Sequence, residues 1–159
     1  GSVELLGHTL NEANRIALLR QTGSLIESPS GYLHLTAREN LSIVADLKDV
    51  DRKDIGRVLE IVHLTKDADR KGGQYSLGMK QRLAIAQAIM ESPDVIMLDE
   101  PTNGLDDGGV ELIRKLITEE KQRGAIVLLA SHNRDDIKLL ADKLYRIESG
   151  ELKELEAMT

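Results

Sequence analysis

The stretch Asp94-Val95-Ile96-Met97-Leu98-Asp99-Glu100-Pro101-Thr102 sets four apolar residues ahead of two carboxylates and a proline turn. An apolar run of this length between polar ends reads as a strand buried on both faces, the pattern of a parallel sheet. Its two acids then stand at the C-terminal rim, where open α/β sheets bind ligands. A second run of the same kind, Ala125-Ile-Val-Leu-Leu-Ala130, ends in Ser131-His132 and reaches the same rim. Between the runs, 106 to 122 reads as a helix closed by Gly124; after the second run, 133 to 142 reads as a further helix and 143 to 155 as a hairpin around Ser149-Gly150. Such alternation predicts an α/β fold, a largely parallel sheet covered by helices on both faces.

Upstream, Val3-Glu-Leu-Leu6 and Gly23-Ser-Leu-Ile26 are short strand-like runs, with a turn or two of helix between Asn11 and Arg20. Ser28, Pro29, Ser30 and Gly31 mark a loop. The pattern then becomes helical. Thr36 caps a segment carrying Leu41, Ile43, Val44 and Leu47, and Asp51 caps one carrying Ile55, Val58, Leu59, Ile61 and Val62. Ser76 opens a third, with Met79, Leu83, Ala86 and Met90 on one face. The organisation expected is an N-terminal part of the α/β core at 3–35, an inserted helical subdomain at 36–91, and the C-terminal part of the core at 92–159.

Composition excludes several classes. A length of 159 residues with 41% hydrophobic content describes one globular unit with a core of its own. The net charge is −6, and the 21 Lys and Arg are scattered among 27 Asp and Glu without a basic block, which argues against nucleic-acid binding. Without cysteine there is no disulfide framework and no thiolate metal site, and a cytoplasmic protein is expected. The longest apolar runs fall far short of the roughly 20 residues that span a bilayer, so contact with a membrane is expected only through a partner. Gly1-Ser2 reads as a tag-cleavage scar. With no Phe or Trp and three Tyr, little in the chain could stack on an adenine ring.

The rim residues suit phosphate chemistry. Magnesium takes few carboxylates and keeps much of its water, a role for Asp99. Glu100 would then orient or deprotonate an attacking water, with His132 on the γ-phosphate. Ser76, Leu77 and Gly78 offer a hydroxyl and helix-start amides to an anion. His8, His34 and His63 have no partner pattern. A nucleoside triphosphatase of this kind also needs a Gly-rich loop ending in Lys and Ser or Thr, and no G-x-x-x-x-G-K-[ST] occurs in the sequence. The expectation is a C-terminal piece of an ATPase, binding ATP and Mg2+ weakly or not at all and inactive alone. Sheet edges and apolar faces left exposed should make it self-associate.

In order, Tyr75-Ser-Leu-Gly-Met-Lys-Gln-Arg82, Val95-Ile-Met-Leu-Asp-Glu-Pro101, Gly104-Leu-Asp106 and Ser131-His132 resemble the signature, Walker B, D-loop and H-loop of the nucleotide-binding subunit of ABC transporters. Gly23 to Pro29, followed by Leu35 to Leu41, resembles the Q-loop and the start of the helical subdomain. The resemblance implies a P-loop NTPase (RecA-like) cassette that lacks its Walker A segment. By it, Ser76, Leu77, Gly78 and Met79 would contact ATP held by a second nucleotide-binding subunit, in a homo- or heterodimer whose interface Asp106 crosses. Asp99, Glu100 and His132 would act on the subunit's own nucleotide. Leu77 and Met79 replace a Gly and a Gln of the commonest signature, and Glu27 replaces the Q-loop glutamine. Such variants look like the bacitracin and lantibiotic export and self-protection branch. Glu27 is thereby a candidate nucleotide and magnesium contact, its added negative charge setting it apart from the glutamine. The partners implied are a transmembrane permease and the second subunit, with the protein peripheral at the inner face of the cell membrane. Two alternatives stand beside this: a nucleotide-independent permease-docking module, and a chromosome-maintenance-type ABC ATPase, which would need coiled coils that the sequence does not show.

Overall fold

A computed structural model describes residues 1–26 and 31–155. The chain opens with a two-stranded antiparallel ribbon, β1 (Glu4–Leu5) and β2 (His8–Thr9). The short helix α1 (Arg15–Arg20) leads into β3 (Thr22–Leu25). Three helices follow, α2 (Ala37–Lys48), α3 (Asp54–Ile61) and α4 (Leu77–Ile89). Then come β4 (Val95–Asp99), α5 (Asp107–Arg123), β5 (Ile126–Ala130) and α6 (Arg134–Leu140). The hairpin of β6 (Leu144–Glu148) and β7 (Glu151–Leu155) ends the described chain.

Local chemistry sets the boundaries. Thr36 accepts from the Glu39 amide while the Glu39 carboxylate accepts from the Thr36 amide at 2.7 Å, a capping box that starts α2. Asp51, expected to cap α3, instead accepts from the Lys53 amide two residues on, and the helix begins at Asp54. An Asp can satisfy an amide in a turn as readily as at a helix start, which is why its sequence position misleads here. Gly124 closes α5 with φ +99°, and Ser149 and Gly150, both at positive φ, make the tight turn between β6 and β7.

The sheet is parallel in the spatial order β3-β4-β5, with Leu25 opposite Leu98 and Leu98 opposite Leu129. One face, carrying Gly23, Leu25, Ile96 and Leu98, is buried with residues of α4 and α5, with Val127 and Leu129 packed against them. Nearly every side of α4 is buried, as an apolar all-round helix must be. Gly23 permits its close approach to β3: a methyl group there would lie 1.7 Å from the Ala88 carbonyl oxygen.

The opposite face corrects an expectation. Thr22 and Val95 are buried, but Ile126 and Leu128 of β5 are 60% and 62% exposed. Among the described residues, no helix covers that part, so the sheet is well shielded on one face only. The run 125 to 130 reads as doubly buried because composition registers apolarity and not which neighbours supply the cover.

Lys48, in the last turn of α2, fastens the helices to the sheet. Its ammonium donates to the Leu19 and Thr22 carbonyls at 2.9 and 2.6 Å and pairs with the buried carboxylate of Glu91, just beyond α4.

Candidate functional site

The register pairs Asp99 with Ala130, so the polar residues after β4 and β5 leave the sheet side by side, as the sequence implies. Glu100 then turns sharply, with φ +46°, a conformation rare outside glycine. Four hydrogen bonds hold the turn. The Glu100 amide donates to the Ala130 carbonyl at 2.9 Å, and the Glu100 carbonyl accepts from the Asn103 amide at 3.1 Å. Gln81, buried one turn into α4, donates its amide to the Glu100 and Pro101 carbonyls at 3.3 and 3.1 Å.

The turned side chain meets His132. Glu100 Oε1 accepts from the His132 amide at 3.0 Å and lies 2.6 Å from its Nδ1. A carboxylate can only accept, so Nδ1 carries the proton. That hydrogen bond first, and the Glu100 charge second, raise the pKa of His132 above its usual 6.5. Both contacts fall on Oε1, leaving Oε2 for a water proton. The His132 side chain is 81% exposed and that of Glu100 30%, so the pair faces solvent at the rim.

Asp99 sits half-buried beside this pair. Among the described residues, no group of three or more His, Cys, Asp or Glu is gathered as a metal cage. Magnesium does not require one, since one or two carboxylates plus phosphate oxygens and waters complete its shell. A single rim carboxylate at Asp99 therefore fits that ion. Glu27 lies outside the described residues.

A second grouping forms at the start of α4. Ser76 caps the helix by accepting from the Met79 amide at 3.2 Å, and Met79 packs against the core. A methyl group on Gly78 would lie 3.3 Å from Leu105, and one on Gly104 2.6 Å from Leu77, so the helix start and the 104–106 turn are neighbours. Asp106 caps α5, accepting from the Gly109 amide at 2.8 Å. Ser76, Leu77 and Gly78 are thus grouped with the turn ending at Asp106, while Glu100 is grouped with His132. The buried Gln81 ties the helix of the first grouping to the turn of the second.

Sequence reasoning missed Gln81, and it missed Asp136, which is buried between the Thr102 hydroxyl and the Arg114 guanidinium. Gln81 carries a signal only in its spacing, one and two turns ahead of Ile85 and Ile89 on the same helix face. Asp136 carries none, because Asp135-Asp136 reads as ordinary first-turn acids of a helix.

Comparison with known proteins puts these motifs in context. The family profile described as "ABC transporter" matches residues 1–103. The bacitracin transport ATP-binding protein BcrA of Bacillus licheniformis is 42% identical over 97% of this chain and 51% of its own length. The ABC transporter ATP-binding protein YybJ of Bacillus subtilis is 36% identical over 98% of this chain and 71% of its own. The lantibiotic transport ATP-binding protein SrtF of Streptococcus pyogenes is 39% identical over 84% of this chain and 58% of its own. A solved structure described as an ATP binding subunit of an ABC transporter superposes with a TM-score of 0.83 at 25% identity, covering 94% of this chain and 65% of that one. The chain thus spans about half the length of several curated relatives that it matches.

Proposed function

The chain belongs to the ABC transporter family as an ATP-binding domain, and from that premise we propose that the whole protein hydrolyses ATP to drive export of a peptide antibiotic or a similar compound. The observation that carries the proposal is the Glu100–His132 pair at the rim, because a pure docking module has no use for a positioned carboxylate there. The similarity to bacitracin and lantibiotic transport proteins supports the substrate class.

In this reading Glu100 is the general base. Its left-handed turn lifts the carboxylate off the end of β4, and its Oε2 accepts a proton from the attacking water. His132 holds Oε1, fixing the carboxylate's orientation, and in its protonated form, which the raised pKa favours, would donate Nε2–H to the γ-phosphate. Asp99 would hold the magnesium, which supplies charge neutralisation on the phosphates when bound. Ser76, Leu77, Gly78 and Met79 would serve the nucleotide of a second subunit, and Asp106 would lie at the interface between them. The partner at the membrane is a permease that receives the helical part. Among the described residues, no helix is long and apolar enough to cross a membrane, which suits a peripheral cytoplasmic place. The division at 3–35, 36–91 and 92–159 belongs to the same proposal. So does the inactivity of these 159 residues alone, supported by the lack of a G-x-x-x-x-G-K-[ST] sequence.

The test is steady-state hydrolysis of Mg-ATP by the whole protein. Glu100→Gln keeps the shape and removes the base, and should lower kcat by about 10²–10⁴-fold with nucleotide binding intact. Unchanged turnover in that variant would remove Glu100 from the chemistry.

A further inference from the structure

His132 is exposed, and the last paired residues of its strand and the neighbouring one are Asp99 and Ala130. Beyond its own two contacts with Glu100, the position of its ring depends on the chain that follows. That chain is α6, whose seven residues are too few to be stable in isolation. Asp136 lies one turn beyond His132 on this helix, and its side chain is 1% exposed.

A carboxylate so deeply buried is tolerated only when paired and hydrogen-bonded. Asp136 satisfies both conditions with partners from two other elements. The Thr102 hydroxyl donates to Oδ2 at 2.6 Å, and Arg114 donates to Oδ1 through Nε at 2.8 Å and Nη2 at 2.7 Å. Thr102 is two residues past Glu100, and Arg114 stands two turns along the helix that Asp106 caps. One buried group thus joins the segment after Glu100, the helix after the 104–106 turn, and the helix after His132. Asn133 reinforces the start of α6 by accepting from the Asp135 and Asp136 amides at 2.9 and 3.3 Å.

We propose that Asp136, clamped between Thr102 and Arg114, is the positioning residue that keeps the His132 ring on Glu100. Its position ties the rim pair to α5 and hence to the Asp106 turn. A displacement of that turn, as when a second subunit docks on it, would be transmitted to His132 through Arg114. The consequence for hydrolysis rests on the ATPase reading above, whereas the positioning itself does not.

The experiment uses the 159-residue chain with 15N-labelled histidine and no nucleotide, at a pH where the His132 ring is neutral. A neutral imidazole in water favours the Nε2–H tautomer, while the bond to Glu100 requires Nδ1–H. The nitrogen shifts therefore report whether His132 is in place. Glu100 is the group whose charge acts on the ring, so a change at Asp136 reaches it through position. The unaltered chain should show Nδ1–H. Asp136→Asn and Thr102→Val should switch His132 to Nε2–H, while Thr102→Ser, which restores the hydroxyl, should retain Nδ1–H. Thr102→Val matches the volume of threonine and decides the question should Asp136→Asn fail to fold. A folded Thr102→Val chain that keeps Nδ1–H, or an unaltered chain with Nε2–H, overturns the proposal. Either result leaves the ATPase reading to be judged by Glu100→Gln turnover in the whole protein.

Discussion

Replacing Lys48 with methionine tests how the helices are fixed to the sheet. Methionine keeps much of the stem but removes all three contacts of the ammonium, with the Leu19 and Thr22 carbonyls and with Glu91. The Glu91 side chain is only 7% exposed, and its Oε2 has no partner among the described residues. Lys48→Met therefore leaves a buried carboxylate without its cation, a change that costs about 3–5 kcal/mol when one partner of a buried pair is removed. The Lys48 side chain keeps 22% exposure, which favours the lower end of that range. With a urea slope of about 2 kcal/mol/M, the unfolding midpoint should fall by roughly 1.5 M. The loss should also depend on pH. Burial, its largest cause, raises the pKa of Glu91 above the usual 4.5 even with Lys48 present. A carboxyl with a raised folded-state pKa contributes stability that is fully present below its unfolded pKa and is lost as pH rises through the folded value. The deficit in Lys48→Met should accordingly shrink as the pH is lowered toward 4, where Glu91 is neutral in the native state. Replacing both Lys48 and Glu91 with methionine should recover most of the loss at pH 7. A cost below about 1 kcal/mol at pH 7, or one that grows toward pH 4, would refute this reasoning.

Gly23→Ala should cost about 3 kcal/mol or more in urea unfolding, because the new methyl group meets the Ala88 carbonyl at 1.7 Å and backbone cannot swing aside as a side chain would. Gly56→Ala in α3, where nothing lies within 4 Å, should instead stabilise by about 0.5–1 kcal/mol. At the rim, Glu100→Gln should lower the pKa of His132 toward its ordinary value, followed by NMR titration of the ring. The sign follows from the raised folded-state pKa: the stabilisation added by the ring's positive charge is fully present below 6.5 and is lost as pH rises through the folded value, while the neutral ring keeps its Nδ1–H on Glu100. An unmoved His132 midpoint would mean that the pair does not form in solution.

Much of this architecture is legible in the sequence because the local signals agree. Thr36 with Glu39 and Ser76 ahead of an apolar helix act as helix starts, and Gly124 and Ser149-Gly150 act where stops and turns are expected. The rim is legible for a similar reason: equal-length strands in register carry Asp99 and Ser131-His132 to the same edge. What escapes is set by tertiary contact. The left-handed turn at Glu100 depends on Gln81, 19 positions earlier, holding its carbonyl. Lys48 looks like any cation in a last helical turn until Glu91 arrives from 43 positions away. The uncovered face at Ile126 and Leu128 is invisible to hydropathy, which has no register of neighbours.

The central claim is that these 159 residues carry the chemical half of an ATPase site and not the grip on the phosphates. Calorimetric titration of Mg-ATP into the 159-residue chain, beside the whole protein and with phosphate release followed in the same cell, tests it most directly. The account predicts saturable binding and turnover by the whole protein, with no saturable heat and no phosphate from the 159 residues alone. Saturable micromolar binding by the 159-residue chain would contradict it, because residues other than those named here would then be holding the nucleotide.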